Sequence, residues 1–164
     1  MKDTVRFELL SLLTGGNAHM SFEEVVNGFP LDRIGRHAPH TPYTAWHFVE
    51  HIRIAQWDIV EFIRNPNHIS PDWPYGYRPP ASEMPTEDKW NKSIEKVLED
   101  RDYLISLVKK RSLDLRSEIP HAPGYTYMRE ILTAADHTAY HVGEIAILRQ
   151  VLNAWPEDNR YLTG

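Results

Sequence analysis

The placement of proline is the feature that most limits how this chain can fold. Proline lacks a backbone N–H and interrupts a helix interior, so a long helix requires a stretch without it. The 164 residues contain 12 prolines, which leave proline-free stretches at 1–29, 43–65, 86–119 and 124–155. Each stretch has room for a helix of about five turns or more, at roughly 3.6 residues per turn. The proline pattern therefore predicts long helices joined by proline-containing links.

Apolar residues recur at helical spacing inside these stretches. In 43–65 the apolar positions three and four residues apart are Ala45, Phe48, Ile52, Ala55, Ile59 and Ile63. Comparable stripes run through 86–119 and 124–155. No segment alternates between apolar and polar residues as a strand does, so no β structure is expected. Four amphipathic helices predict an all-α chain folded as a four-helix bundle.

The first stretch contains two helices rather than one. A Gly-Gly pair at 15–16 divides it into a helix near 3–13 and a short helix near 21–28. Ser21 with Glu24 three residues later forms the capping-box pattern that starts a helix. The sequence therefore predicts a break after the first helix and a defined start for the second.

Two further helix starts are predicted from capping residues. Thr41 followed by Pro42 is typical of an N-cap with proline at the first helical position. Thr86 precedes two acidic residues, which favour the positive end of a helix. These patterns place helix starts close to 42 and 87.

The link at 66–85 is long and unusual in composition. It holds six of the 12 prolines together with Trp73, Tyr75 and Tyr77. Long links without secondary structure in compact domains tend to be functional or disordered. This proline-rich link between the second and third bundle helices is expected to pack on the bundle as a lid or a subunit contact.

Composition excludes several classes of site. The chain has no cysteine, which excludes disulfides, thiolate zinc sites, iron–sulfur clusters and cysteine nucleophiles. It carries 18 basic and 23 acidic side chains, a net charge of −5, and no basic run. Nucleic acid and anionic membranes both require a concentrated positive surface, so neither is expected as a partner.

The length and the hydropathy pattern indicate one domain, 1–164, in a cytoplasmic protein. A chain of this length buries enough surface for a single core. No apolar run approaches the ~20 residues that a membrane helix needs. The first residues include acids where a signal peptide has a basic start followed by an apolar block. Five tryptophans and eight tyrosines exceed what one small core hides, which favours a homodimer.

Two histidines on the last predicted helix form the strongest local signal. His137 and His141 are four residues apart, so both imidazoles lie on one helix face and can reach a single cation. The zinc-protease pattern has the same spacing but needs a glutamate after the first histidine, and Thr138 stands there. A pair alone is weak evidence, because surface helices show this spacing by chance.

The second long stretch offers a third imidazole. His51 lies at the edge of its apolar stripe, and His47 is one turn earlier and farther from the stripe. Three imidazoles would leave a coordination position open for water or substrate. The residues alone leave two interpretations open: His51 is a metal ligand, or it is a partly buried structural histidine with His47 at the surface.

Several short motifs resemble the DinB-like superfamily, which includes the damage-inducible and YfiT-type proteins labelled metal-dependent hydrolases. The resemblance covers about residues 5–155. The residues that carry it are Ala18-His19, Trp46-x4-His51, Ile54-Ala55-Gln56-Trp57-Asp58, His137-x3-His141-x-Gly143-Glu144-Ile145 and Leu148-Arg149. The family often has glutamine where this chain has Glu144. Membership implies an up-down-down-up four-helix bundle.

The resemblance also implies a site and a chemistry. It implies one divalent metal, such as zinc, nickel or iron, held by His51, His137 and His141. It further implies either hydrolysis of a small-molecule substrate, with Glu144 as the candidate general base, or S-transfer from a low-molecular-weight thiol cosubstrate. The alternative is a non-enzymatic, metal-binding stress-response dimer.

Other polar residues carry weaker expectations. His19, His40 and His68 lie in links and are candidates for the rim of the site. Glu50 and Asp58 flank His51 along the helix and are interpreted as parts of a solvated face. Their roles are left open by the sequence.

Overall fold

The computed structural model describes residues 3–15 and 17–156 and is mostly helical. Its helices are α1 (Thr4–Thr14), α2 (Phe22–Val26), α3 (Ala45–Arg64), α4 (Glu87–Lys109) and α5 (Tyr127–Val151). The strands are β1 (Glu118–Ile119) and β2 (Ala122–Thr126), and single 3-10 turns lie at Leu31–Arg33 and Tyr75–Tyr77. The prediction of a mainly α-helical chain is thus confirmed. No helix in the described ranges is long and apolar enough to cross a membrane.

The helix start predicted at Thr41 is wrong. Thr44 caps α3 instead, because its hydroxyl accepts the backbone N–H of His47 while the His47 ring accepts the backbone N–H of Thr44. This reciprocal pair is a capping box in which histidine takes the place of the usual glutamate. The caps predicted at Ser21 and Thr86 are both present.

A short hairpin lies between α4 and α5, where no β structure was expected. β1 and β2 pair antiparallel. Ile119 and Ala122 stand on either side of the two-residue turn that joins the strands, and both are buried. Gly124 has a φ of +85°, a conformation that glycine adopts without steric strain. The two-residue β1 is too short to show an alternating pattern, which is why periodicity missed it.

Two helices, α1 and α3, contact the same pair of neighbours. α3 lies against α4 and α5, and α1 also lies against α4 and α5. The buried apolar residues form two clusters, one around Trp46, Trp90 and Ile145 and the other around Val60, Leu104 and Ile131. The helices are therefore held by cores at both ends.

The polar middle of α5 falls between these two clusters. Along α5, Ala135 belongs to one cluster and Val142 to the other. His137 and His141 occupy the interval between them, and His51 lies next to the cluster residue Ile52 on α3. The packing thus brings the sequence-predicted histidines to the level where the two cores meet.

Candidate metal centre

Three imidazoles from two helices converge at one point. His137 Nε2 lies 3.0 Å from His51 Nε2 and 3.2 Å from His141 Nε2. The three ring centroids are 4.5 to 4.8 Å apart. In a tetrahedral site with metal–nitrogen bonds of about 2.05 Å, neighbouring nitrogens are about 3.3 Å apart. The spacing of these nitrogens is therefore close to that of three ligands on one ion, and the cluster could hold a metal.

The outer nitrogens of two rings determine which tautomer faces the centre. His51 Nδ1 lies 2.8 Å from the Tyr77 backbone carbonyl, and His141 Nδ1 lies 2.5 Å from Glu144 Oε2. Both oxygens accept, so each Nδ1 carries the proton and donates it. The Nε2 atoms of His51 and His141 then present lone pairs to the centre, which is the arrangement that metal-binding histidines require.

The third ring, that of His137, cannot donate a hydrogen bond to both neighbouring imidazoles. His137 Nε2 is within hydrogen-bond distance of two nitrogens, and a neutral imidazole has at most one proton there. At least one lone pair at the centre is therefore left without a donor from these rings. A cation that accepts all three lone pairs fits this donor set.

Burial keeps the imidazoles neutral. Burial, together with charge on the neighbouring imidazoles, lowers the pKa of His137 and His141 to about 4. Burial also lowers the pKa of His51, although its hydrogen bond to the Tyr77 carbonyl opposes this. Neutral imidazole is the form that binds metals, so the site stays competent well below pH 7.

We expect the metal-free protein to lose stability as the pH falls from 7 to 5. The pKa of His137 is near 6.5 in the unfolded chain and about 4 in the folded one. The unfolded state therefore binds more protons in this interval, and stability rises with pH. The expected loss in unfolding free energy is roughly 1–2 kcal/mol per buried histidine.

Urea unfolding of chelator-treated protein at both pH values measures this loss. His137→Ala is the control, since it removes one of the shifted groups and should show a smaller pH dependence. Equal pH dependence in the wild type and the variant would contradict the expectation.

His47 lies outside the cluster, but it is not a surface residue. Its side chain is only 3% exposed and serves the α3 cap through Thr44. The sequence interpretation that placed His47 at the surface is therefore wrong. The cap accounts for the Nδ1 atom of the buried ring.

Asp58 and Glu50 do more than face solvent. Glu50 pairs with Arg53 and accepts a hydrogen bond from Ser93 Oγ at 2.7 Å. Asp58 accepts a hydrogen bond from the Tyr77 hydroxyl at 2.6 Å and pairs with His68. The interpretation of both acids as parts of a solvated face is incomplete.

Asp58 on α3 forms hydrogen bonds with two residues of the 66–85 link beside the site. His68 Nε2 donates to Asp58 Oδ1 at 2.6 Å, while the Tyr77 hydroxyl bonds the other carboxylate oxygen. The backbone carbonyl of the same Tyr77 then accepts the proton of His51 Nδ1. Sequence reasoning missed this contact, because a backbone acceptor has no sequence signature; the only available signal was an aromatic residue in the link.

Removing the Asp58 carboxylate is expected to weaken metal binding. Asp58→Ala frees the Tyr77 hydroxyl and with it the carbonyl that orients His51. Residues that orient a metal ligand typically contribute 10–100-fold in affinity, and this more distant one is expected to contribute about tenfold. Competition with a chelator of known affinity measures the change.

Asp72→Ala is the matched control for this experiment. Asp72 is an exposed acid in the same link, so the variant removes the same charge away from the site. A loss of affinity that is equal in the two variants would show that charge, and not the Tyr77 contact, is responsible.

The other predicted candidates lie in different settings. Among the described residues the cluster contains His51, His137 and His141 and no further ligand group. His68 is engaged by Asp58, and His19 Nδ1 lies 2.7 Å from the Met20 carbonyl. The structure therefore brings together the three predicted ligands and leaves His19, His40 and His68 outside.

Glu144 is hydrogen-bonded to the ring of His141. Its Oε2 atom lies 2.5 Å from His141 Nδ1, and burial raises the pKa of its carboxyl group. The position suits a residue that orients His141. The predicted role of Glu144 as general base stays a prediction.

No family model matches this chain, and no curated protein and no solved structure matches it.

Proposed function

We propose that this chain is a DinB-like metalloprotein that acts as a metal-dependent enzyme on a small-molecule substrate. His51, His137 and His141 would hold one divalent transition metal. The observation that carries the proposal is the convergence of three Nε2 atoms 3.0 and 3.2 Å apart. Two of these rings have their Nδ1 protons engaged by oxygens outside the centre.

The donor set suits a catalytic site. Three neutral imidazoles leave at least one coordination position for water or substrate, as in catalytic zinc sites. Imidazole also suits nickel and iron, so the ligands favour a transition metal and not magnesium or calcium. We therefore propose zinc, nickel or iron.

The helix packing supports the proposed family fold. In a four-helix bundle each helix contacts two neighbours and lies diagonally from the third. α1 and α3 both lie against α4 and α5, which is the contact pattern of such a bundle with α1 opposite α3. We propose the DinB-like up-down-down-up bundle on this basis, as a single domain over 1–164.

The residues around the centre define the possible chemistry. When bound, a divalent metal lowers the pKa of coordinated water or of a coordinated thiol. Glu144 accepts a hydrogen bond from His141 Nδ1, and its raised pKa makes its carboxylate a better acceptor for a proton from water. Hydrolysis would use Glu144 as the base that takes a proton from water. S-transfer would instead require a low-molecular-weight thiol as cosubstrate.

Two assays on the metal-loaded protein separate these reactions. A thiol-dependent S-transferase conjugates an epoxide or haloalkane only when a small thiol is supplied, and its rate persists below the pKa of the free thiol. A hydrolase cleaves an ester or amide without thiol, and Glu144→Gln slows the cleavage by removing the base. We favour S-transfer on the resemblance alone.

His137→Ala is the control for both assays. Contaminating activity survives this substitution, whereas activity at the centre does not. Retained metal with neither reaction dependent on His137 would contradict the enzyme and support the non-enzymatic, metal-binding dimer instead.

We also propose that the chain forms a homodimer. Trp73 and Tyr75 in the link are 74% and 87% exposed, and aromatic residues of this kind are enriched at interfaces. Light scattering at micromolar concentration should give twice the 19.1 kDa chain mass. A mass of one chain would contradict the proposal.

A further inference from the structure

An apolar groove of about 400 Å³ runs along the outer side of α5. This volume lies within the range of small-molecule pockets, which is roughly 300–1,000 Å³. Its walls come from Phe48 on α3 and from Tyr140, Ile147, Leu148 and Val151 on α5. Among the described residues that line it, Glu144 is the only acid or base. The groove is therefore suited to an uncharged group.

The groove adjoins His141, one of the three histidines of the proposed metal centre. Glu144 lines the groove and also bonds His141 Nδ1 at 2.5 Å. The rings of Phe48 and Tyr140 lie 5.9 Å and 5.0 Å from the His141 ring, centroid to centroid. A molecule in the groove would thus lie against the outer edge of a ligand histidine.

Gly143 marks the part of the groove where an external molecule can approach the helix backbone. It lies in the interior of α5, where glycine is a poor helix former. A Cβ atom added there would meet no heavy atom within 4 Å, so packing inside the chain does not require glycine. The missing side chain leaves open the same groove that the apolar residues line.

Surface exposure of the groove residues agrees with an external occupant. Ile147 and Val151 are 61% and 55% exposed, and Tyr140 is 66% exposed. They are spaced at four and seven residues along α5 and form one apolar strip beside Gly143. The strip begins at Tyr140, beside His141, and extends toward the end of the helix.

We infer that the substrate of the proposed metal site carries an uncharged apolar arm, an alkyl chain or an aryl ring, that lies in this groove while its polar head reaches the three histidines. The inference rests on the proposed function. Proximity to the centre favours one small molecule over a second protein chain, because three residues that line the groove, Phe48, Tyr140 and Glu144, also contact His141. The open space at Gly143 gives the arm direct contact with α5.

A series of n-alkyl hydroxamates from acetyl to octanoyl tests the inference with metal-loaded protein. The hydroxamate head binds a divalent metal, and the chain length varies the apolar arm. Calorimetry should show affinity rising by about two- to fourfold for each added methylene until the groove is filled. A flat series in the wild type would overturn the inference.

Gly143→Leu places an apolar side chain at the groove, and its Cβ atom would meet no heavy atom within 4 Å. It should abolish the chain-length dependence and leave the affinity for acetohydroxamate within about twofold of the wild type. Gln150→Leu adds the same side chain at an exposed position of α5 that does not line the groove. That control should keep the wild-type series.

A metal-independent measurement separates failure of the groove from failure of the centre. In metal-free protein, 1-hexanol should shift the methyl NMR signals of Ile147 and Leu148 and leave those of Val60 and Leu104 unchanged. Such shifts in a wild type that binds no metal would refute the proposed function and leave the apolar site standing. Metal binding without these shifts would refute the groove alone.

Light scattering tests the other possible occupant of the groove, a second copy of the chain. If Gly143→Leu converted a dimer to a monomer and kept the wild-type hydroxamate series, the inferred substrate arm would be overturned in favour of a second copy of the chain.

Discussion

Replacing His137 or His141 by alanine is expected to strip the purified protein of its metal. Each substitution removes one of three converging Nε2 atoms, and two imidazoles cannot provide the ligand number of a stable site. Losing a residue that merely orients a ligand costs about 10–100-fold in affinity, so losing a ligand should cost more than about 100-fold. Metal analysis after gel filtration measures the bound ion per chain.

His47→Ala is the matched control for this loss. His47 is a buried histidine on the same helix as His51, but it belongs to the α3 cap and not to the cluster. The control should keep its metal, although it loses the capping contact and so some stability. Full metal content in both α5 variants would exclude the assignment of His137 and His141 as ligands.

The pH profile of metal binding provides a second check on the same centre. Protonated imidazole cannot act as a ligand, so binding weakens with acidification. Because the pKa of His137 and His141 lies at about 4, the imidazoles themselves resist protonation to a lower pH than free histidine, whose pKa is about 6.5.

The helices were predictable because their signals are local. Proline-free length and apolar spacing predicted α3, α4 and α5, and capping residues placed the start of α4 at Thr86. The start of α3 was misplaced because Thr41 precedes a proline, while the actual cap at Thr44 uses His47, which is outside the usual capping pattern. The hairpin was missed because the two-residue strand β1 is too short to show periodicity and β2 contains Pro123 and Gly124, which are unusual in strands.

The candidate site was predictable in part. The spacing of His137 and His141 follows from helical geometry, and the choice of His51 over His47 followed from the family resemblance and from its place at the apolar stripe. The Tyr77 carbonyl could not be predicted, since it reaches His51 only when Asp58 holds the link in place. That contact depends on how the chain packs beyond the helices.

Arg149→Ala is expected to cause the largest loss of stability of any single substitution considered. Arg149 is fully buried, and burial lowers its pKa to about 10, which still leaves it charged at neutral pH. Its guanidinium donates to backbone carbonyls at 2.9 to 3.3 Å. The acceptors are the carbonyls of Val25, Asn27, Gly28 and Ala154.

These bonds connect the end of α2 with the segment that follows α5. The carbonyls of Asn27 and Gly28 lie just after α2, where helical hydrogen bonding has ended, and Arg149 supplies their donors. The guanidinium also lies over the rings of Phe29 and Trp155, with its central carbon 4.9 Å and 4.0 Å from the centroids. The side chain thus holds the end of α2 and the segment after α5 together.

Truncation to alanine leaves several buried carbonyls without donors and opens a cavity between two aromatic rings. An unsatisfied buried polar group costs about 1–3 kcal/mol, and a large-to-small change in a core adds a cavity contribution. The expected loss is therefore about 3–5 kcal/mol in the free energy of unfolding. That is a large share of the total for a domain of this size, which is about 5–15 kcal/mol.

Urea unfolding followed by circular dichroism measures this loss against two further variants. Arg149→Lys keeps the charge but not the planar fork of donors, so it should recover only part of the stability. Arg116→Ala removes an arginine whose side chain is 81% exposed and pairs with Asp114, and it should change stability by less than about 0.5 kcal/mol. If Arg149→Ala and Arg116→Ala were equally mild, the carbonyls around Arg149 would have to find other donors, and the buried guanidinium would not be what fixes α2 against the end of α5.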